Sequence, residues 1–358
     1  MQTLHVELGA HSYPVHVGAG ILEDLGRLAC EAGLQPARAA LVTDTNVAKL
    51  YAERAQASLR KAGFDPIVVT IAAGEASKSM AMLATLYDRM TDAELDRSSA
   101  VFALGGGVVG DLAGYAAATY LRGIAIVQIP TTVVAQVDSA LGGKTGLNHR
   151  RGKNLIGAFH QPRLVAADVA TLATLPEREF REGLAEVIKY GAIRDAALIA
   201  DLGDQVDNII RNRDAVALEA IVMRSLQHKA VIVEADERET GLRKTLNFGH
   251  TVGHALEASA GYGTYLHGEA VAIGMVAAMR LSQAHAGFSG ADAARLTALI
   301  ARAGLPTAMP AGWRGEEFIR ALRLDKKRAG AGVEFILLDR IGHTVTRTLT
   351  IDAILAHL

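Results

Sequence analysis

Four short apolar runs, separated by stretches of helix length, constrain this chain more than anything else in it. Residues 39–43, 66–71, 100–104 and 124–129 read as strands of the fully buried type. Helical patterns occupy 47–63, 78–94 and 108–121 between them. A strand that is apolar throughout, rather than alternately, is covered on both faces, and a helix between successive strands makes the pair parallel. The prediction is an α/β fold with an N-terminal Rossmann-like parallel-sheet domain over residues 1–174. From about Leu175 the pattern changes. Residues 177–194, 214–236, 250–260, 269–286 and 291–303 read as helices, and 333–350 as a hairpin turning at 339–342. A mainly α-helical second domain is therefore expected over 175–358.

A chain of 358 residues has ample material for two such cores. Its net charge of −1 supplies no general field for nucleic acid or an anionic membrane. A small anionic substrate needs only a local cluster of Lys and Arg. The single cysteine, Cys30, leaves no internal disulfide and suits a reducing compartment. Met1 leads straight into the alternating stretch 3–8, which lacks the apolar block of a signal peptide. Asp111 and Arg280 interrupt the longest apolar runs below membrane-spanning length. The expectation is a soluble, cytoplasmic enzyme.

Leu104-Gly105-Gly106-Gly107-Val108-Val109-Gly110-Asp111 follows a strand and opens a helix, the context in which glycines admit a pyrophosphate to a helix N-terminus. A glycine-rich turn that binds nothing fits the same letters. No acid stands about 20 residues downstream to hold a ribose, because the next strand ends in Pro130-Thr131-Thr132. Asp44 does end an earlier strand, and Gly74-Glu75-Ala76-Ser77-Lys78 follows another. A nucleotide lying across several strand ends would take its ribose contact from Asp44 or Glu75. The stretch 138–148, from Asp138 through Gly143, Lys144 and Thr145, resembles a phosphate loop without the Walker spacing. Arg150, Arg151, Lys153 and Asn154 follow it, as a basic anion cradle or as a solvated basic turn.

In the second half, His250, Gly253, His254 and Glu257 fall on one helical face, opposite Val252, Ala255, Leu256 and Ala258. Gly249 and Gly253 leave room for a ligand or another backbone. His267 lies a short loop away. Imidazoles and a carboxylate suit a divalent ion, while a hydrogen-bonded pair of core histidines satisfies the same spacing. Glu182, Glu186 and Lys189 share another helix face, by default a solvated one.

Taken together, these segments resemble the 3-dehydroquinate synthase family over nearly the whole chain. The resemblance rests on 74–78, 105–111, 130–132, 138–145, 152–157, 184–189, 246–257, His267-Gly268-Glu269 and Asp325-Lys326-Lys327, in the family's order. It implies a divalent metal, zinc or cobalt, on Glu186, His250 and His267, with His254 on substrate instead. It implies NAD on Asp44, Glu75, Lys78, Gly106, Gly107, Val108, Asp111, Thr131 and Thr132, with Lys153 and Asn154 nearby. Substrate would meet Asp138, Lys144, Lys189, Lys229, Arg243, Asn247, His254 and Lys326. Arg122 would reach a neighbouring subunit's site, which implies a homodimer. The implied reaction releases phosphate from a seven-carbon sugar-acid phosphate by transient oxidation, elimination, re-reduction, ring opening and aldol closure. A related cyclase acting on a carboxylate-free sugar phosphate and a metal-dependent polyol or alcohol dehydrogenase are the alternatives. The pair Arg150 and Arg151 after His149 departs from many relatives and touches no implied catalytic position.

Overall fold

The computed structural model describes residues 1–150, 152–261, 264–313, 315–326 and 332–358, with 324–326 described by backbone alone. The chain divides into two compact units, one of residues 1–175 and 214–238 and the other of 176–213 and 239–358.

The apolar runs of the first unit become strands of one seven-stranded sheet. In chain order its members are β1 (Gln2–Val6), β2 (Tyr13–Gly18), β3 (Arg38–Asp44), β4 (Asp65–Ile71), β5 (Ala100–Gly105) and β6 (Ala125–Pro130). A separate two-stranded ribbon, β7 (Lys144–His149) and β8 (Gly152–Phe159), precedes the last member, β9 (Leu164–Asp168). The spatial order is β1-β2-β9-β6-β5-β3-β4, parallel at every pairing except β1 with β2. Alternate side chains feed two cores. Leu41, Phe102 and Val127 meet Leu28 of α1 (Leu25–Glu31) and Leu59 of α2 (Glu53–Lys61). Val42, Val101 and Ile126 meet Leu86 of α3 (Met80–Asp92) and Leu112 of α4 (Gly107–Thr119) on the other face. Each such Leu, Val or Phe contributes about 1.5–3 kcal/mol by leaving water. This two-sided burial is why the strands carry no polar alternation.

From β3 the chain goes out to β4 at the sheet edge and then comes back to β5, on the other side of β3. The order of β4-β3-β5-β6-β9 makes β3 and β5 the strands where the winding reverses, and the crevice beyond their carboxyl ends is where open α/β sheets take ligands.

Among its described residues the second unit is helical apart from one hairpin. It contains α5 (Glu177–Arg194) and α6 (Ala196–Asn212). The chain then returns to the first unit as α7 (Ala215–Ala235), which packs on β1 and β2. Residues 214–236, placed by sequence in the second domain, group with the first unit for this reason. The second unit resumes with α8 (His250–Ala260), α9 (His267–His285), α10 (Gly290–Arg302), α11 (Glu316–Lys326), the hairpin β10 (Val333–Arg340) and β11 (His343–Leu349), and α12 (Ile351–His357). Val252, Leu256, Ile273, Phe318, Leu337 and Ile354 form the core joining α8, α9, α11, β10 and α12. Ala258, assigned by sequence to the buried face of α8, is exposed.

Helix α9 is approached closely by two backbones. A Cβ on Gly274 would land on the carbonyl oxygen of Gly249, at the start of α8, and a Cβ on Gly268 would land on that of Glu182 in α5. The room beside Gly249 is therefore taken by another backbone, not by a ligand. Overpacking of this kind costs about 1–3 kcal/mol. Gly274→Ala should lower the melting temperature by several degrees; a thermal scan indistinguishable from that of the parent would show that the helices have spare room.

Candidate functional site

The helical unit places three donors around one carboxylate. Glu186 lies on the third turn of α5, whose residues from Gly183 to Ile193 are all buried, and its side chain is 0% exposed. His250 and His267 are the first residues of α8 and α9. The close contacts at Gly268 and Gly274 bring α5, α8 and α9 near enough for these side chains to meet. Glu186 Oε1 stands 3.5 Å from His250 Nε2 and 3.4 Å from His267 Nε2. One ligand atom from each of the three residues lies within 4.8 Å of the others. Ligands about 2.1 Å from a tetrahedral zinc ion stand about 3.4 Å apart. The donor set and its spacing therefore fit a divalent ion.

The surroundings fix which atoms face inward. His250 Nδ1 lies 3.1 Å from the Phe248 carbonyl, so the ring donates there and turns a lone pair on Nε2 toward Glu186. His267 Nδ1 lies 3.6 Å from Glu257 Oε2, an ion-pair separation that gives the second imidazole a carboxylate behind it. Lys189 Nζ holds the other oxygen of Glu186 at 2.5 Å and is itself 1% exposed. Glu182 is not part of a solvated stripe: its Oε2 accepts the Gly268 N–H at 2.7 Å. Burial pushes its carboxyl up to about 7.

The two imidazoles diverge in proton affinity. Burial pushes His250 down to about 3, keeping it neutral. Burial would also lower His267, but the carboxylates of Glu186 and Glu257 outweigh it and push the ring up to about 10. A proton on His267 and a metal ion thus compete for the same nitrogen.

The other expected residues of this unit lie as follows. Arg243, in the 3-10 turn Leu242–Asn247, is 1% exposed, and the side chain heads the described residues in volume among those so deeply buried. Asn247 Nδ2 donates to Glu239 Oε1 at 3.4 Å. His254 is exposed one turn beyond His250, their rings 5.3 Å apart. A second potential donor group combines His254, Glu257 and His267. Lys326 ends α11, and its side chain lies outside the described residues, as does the whole of Lys327.

In the first unit, the expected cofactor residues gather at strand ends and on the ribbon. Asp44 ends β3 and accepts the N–H groups of Asn46 and Val47 at 2.8 and 3.1 Å. Gly106, Gly107 and Val108 follow β5 into α4, and Thr131 and Thr132 follow β6. Thr131 donates its N–H to the Gly105 carbonyl at 3.0 Å, tying these two turns together. Lys78, almost wholly buried, reaches Asp111 Oδ2 at 2.5 Å and also donates to Asn154 Oδ1. Lys153 is half-buried on β8. Lys229 on α7 meets Asp138 through both the carboxylate and the main-chain carbonyl, each at 2.6 Å. Lys144 is exposed at the start of β7. Arg122 is exposed just after α4 in left-handed backbone, φ +69°. Arg151 lies outside the described residues.

Two residues gain importance only in three dimensions. Glu257 stands behind His267 rather than beside His250, which its i, i+7 spacing could not show. Asn148 bonds to both Glu75 and Lys78, and nothing in its sequence neighbourhood signals this.

A switch-point crevice with a glycine turn in one unit and a carboxylate with two imidazoles in the other define a class, the α/β proteins that combine a dinucleotide-type sheet with a divalent-metal-type helical site. The family descriptions "3-dehydroquinate synthase N-terminal" and "3-dehydroquinate synthase C-terminal" match residues 68–182 and 183–328. The chain belongs to the 3-dehydroquinate synthase family. It is 52% identical over 352 residues to the 3-dehydroquinate synthase of Symbiobacterium thermophilum, covering 98% of each chain. It is 51% identical over 355 residues to that of Pelobacter propionicus, covering 99% of this chain and 98% of the relative. Among solved structures it is similar to ValA, the 2-epi-5-epi-valiolone synthase of Streptomyces hygroscopicus subsp. jinggangensis 5008 with NAD+ and Zn2+ bound. There the TM-score is 0.88 at 30% identity, over 98% of this chain and 96% of that one. It is also similar to a 2-deoxy-scyllo-inosose synthase complexed with carbaglucose-6-phosphate, NAD+ and Co2+, with TM-score 0.89 at 25% identity over 99% and 98%. A maleylacetate reductase from Rhizobium, at 18% identity and TM-score 0.68, shares the fold.

Since a metal must displace the His267 proton, apparent zinc affinity should rise about tenfold per pH unit from pH 6 to 8. Glu186→Gln should weaken binding at every pH in that range and flatten the slope. Competition with a chromophoric chelator measures both, and an affinity that ignores pH would contradict the ligand assignment.

Proposed function

We propose that this chain converts 3-deoxy-D-arabino-heptulosonate 7-phosphate into 3-dehydroquinate and phosphate, a net phosphorus–oxygen lyase reaction, with NAD regenerated in each cycle. The geometric observation that carries the proposal is the donor triangle of Glu186, His250 and His267, in a chain that matches the family through both halves. When bound, NAD supplies a hydride acceptor and donor, and a divalent ion held by Glu186, His250 and His267 supplies Lewis acidity at the substrate's C5 hydroxyl.

The chain's own residues hold and orient. Lys189 secures Oε2 of Glu186, which leaves Oε1 turned toward both imidazoles. The NAD residues are those of the strand ends and ribbon: Asp44, Glu75, Lys78, Gly106, Gly107, Val108, Asp111, Thr131, Thr132, Lys153 and Asn154. Arg243 and Lys229 take the substrate carboxylate, the guanidinium offering a bidentate fork. Asp138 fixes the Lys229 ammonium and, with Lys189, orients ring hydroxyls. Lys144, Asn247, His254 and Lys326, with Arg122 of the partner subunit in a homodimer, hold the phosphate as charge moves onto it. The imidazole of His254 donates to the phosphate from an exposed position. Much of the rate gain comes from positioning, because the intermediates react readily once formed. The lone Cys30 fits a cytoplasmic setting.

Two cations assigned to the substrate carboxylate, the buried Arg243 and Lys229, favour an acid substrate over the carboxylate-free sugar phosphates of related cyclases. The test is to supply the heptulosonate phosphate to the NAD- and zinc-loaded protein, following phosphate and the absorbance of reduced nicotinamide together. One phosphate per substrate with no accumulated NADH is expected, from a species sedimenting at twice the chain mass. NADH accumulating without phosphate would make the protein a dehydrogenase, and a single-chain mass would remove the role given to Arg122.

A further inference from the structure

Asn148 stands where the β7–β8 ribbon loses its regular register. Leu147 pairs with Ile156 and His149 with Gly152, so the ladder shifts across Asn148. Such irregularities re-aim a side chain, and they occur often beside active sites. Here the side chain is half-buried and points into hydrogen bonds at both ends. Its Nδ2 donates to Glu75 Oε1 at 2.7 Å, and its Oδ1 accepts the Asn154 N–H at 3.0 Å. Its main-chain N–H donates to the Lys78 carbonyl at 2.9 Å. Lys78 in turn donates from Nζ to Asn154 Oδ1, which closes a ring running from Asn148 through Lys78 and Asn154 back to Asn148. Asn154 is held in left-handed backbone at φ +55° within this ring.

We infer that Asn148 is a positioning residue for the dinucleotide site: it aims the Glu75 carboxylate and locks Lys78 and Asn154 in place before the cofactor arrives. The inference rests on the reading that Glu75, Lys78 and Asn154 contact NAD. The Asn amide is suited to this place because it donates to a carboxylate with one end while accepting a backbone N–H with the other. An ionised Asp has no proton to give, and would set two carboxylates against each other. Among the described residues, other charged groups near the ring are Asp111 on α4, which pairs with Lys78, and Lys229 on α7, whose charge acts on Asp111, with His149, Arg150 and Lys153 on the ribbon itself.

That contrast supplies a test which a purely structural role would not pass. Calorimetric titration of the full-length, zinc-loaded protein with NAD+ is made for wild type, Asn148→Asp and Asn148→Ala between pH 5.5 and 8.5. At pH 8, Asn148→Asp should bind NAD+ about ten- to a hundredfold more weakly than wild type. It should recover most of that loss at pH 5.5, where a protonated carboxyl again donates to its neighbour. Asn148→Ala should be weakened by a similar factor at every pH, and it decides the matter if the Asp variant does not fold. Unchanged NAD+ affinity in the alanine variant, or a loss in the aspartate variant that does not vary with pH, would overturn the inference. Wild type that takes up no NAD+ would remove the dinucleotide reading itself and this inference with it.

Discussion

A carboxylate with no exposed surface has to be answered by positive charge, and Glu186 sets this demand at the centre of the helical unit. Withdrawing an isolated carboxylate from water costs several kcal/mol even after relaxation. Lys189 answers one oxygen, and the other faces two imidazole nitrogens at the separation that ligands of a single ion adopt. Much of the local architecture follows from bringing these groups together. Helices α8 and α9 both begin with the histidine they contribute, and α9 meets its neighbours where a Cβ would collide with main-chain carbonyls. Backbone partners, not side-chain bulk, therefore set the geometry around the carboxylate.

The sheet unit solves a different problem by topology. The reversal between β3 and β5 leaves an opening at their carboxyl ends, and the chain sets Asp44 and the 105–107 turn on its two sides. The ribbon is not a member of that sheet, yet Asn148 and Asn154 bind it to the loop after β4. Residues distant in sequence are thereby held as one set, and preorganisation of this kind would lower the ordering cost of the dinucleotide proposed to bind there. The buried ammonium of Lys78 joins α4 to β8 through Asp111 and Asn154.

The buried strands were legible because parallel strands covered on both faces leave an unbroken apolar signature, as in 100–104. The hairpin at 333–349 announced itself through its turn residues. The ribbon did not, since Gly143, Lys144, Gly146 and Asn148 read as a phosphate-type loop, while Lys144 and Gly146 pair with Phe159 and Gly157, well beyond that loop. Nor could periodicity assign α7 to the sheet unit, because an apolar face does not say which surface covers it. At the metal-type site the spacing found His250 but favoured His254 as its companion. Glu186 looked like one more charge on a solvated helix, and its complete burial is a property of tertiary packing alone. The resemblance to a family supplied the grouping of Glu186 with His250 and His267, and the structure brings these three side chains together.

The account stands or falls on the ion that Glu186, His250 and His267 are proposed to hold. X-ray absorption at the zinc edge of the loaded protein reads its coordination shell directly. The shell should contain two imidazole nitrogens and carboxylate oxygen at about 2.0–2.2 Å, and His254→Ala should leave it unchanged. A shell with three imidazoles, or one that survives His267→Ala intact, would contradict it.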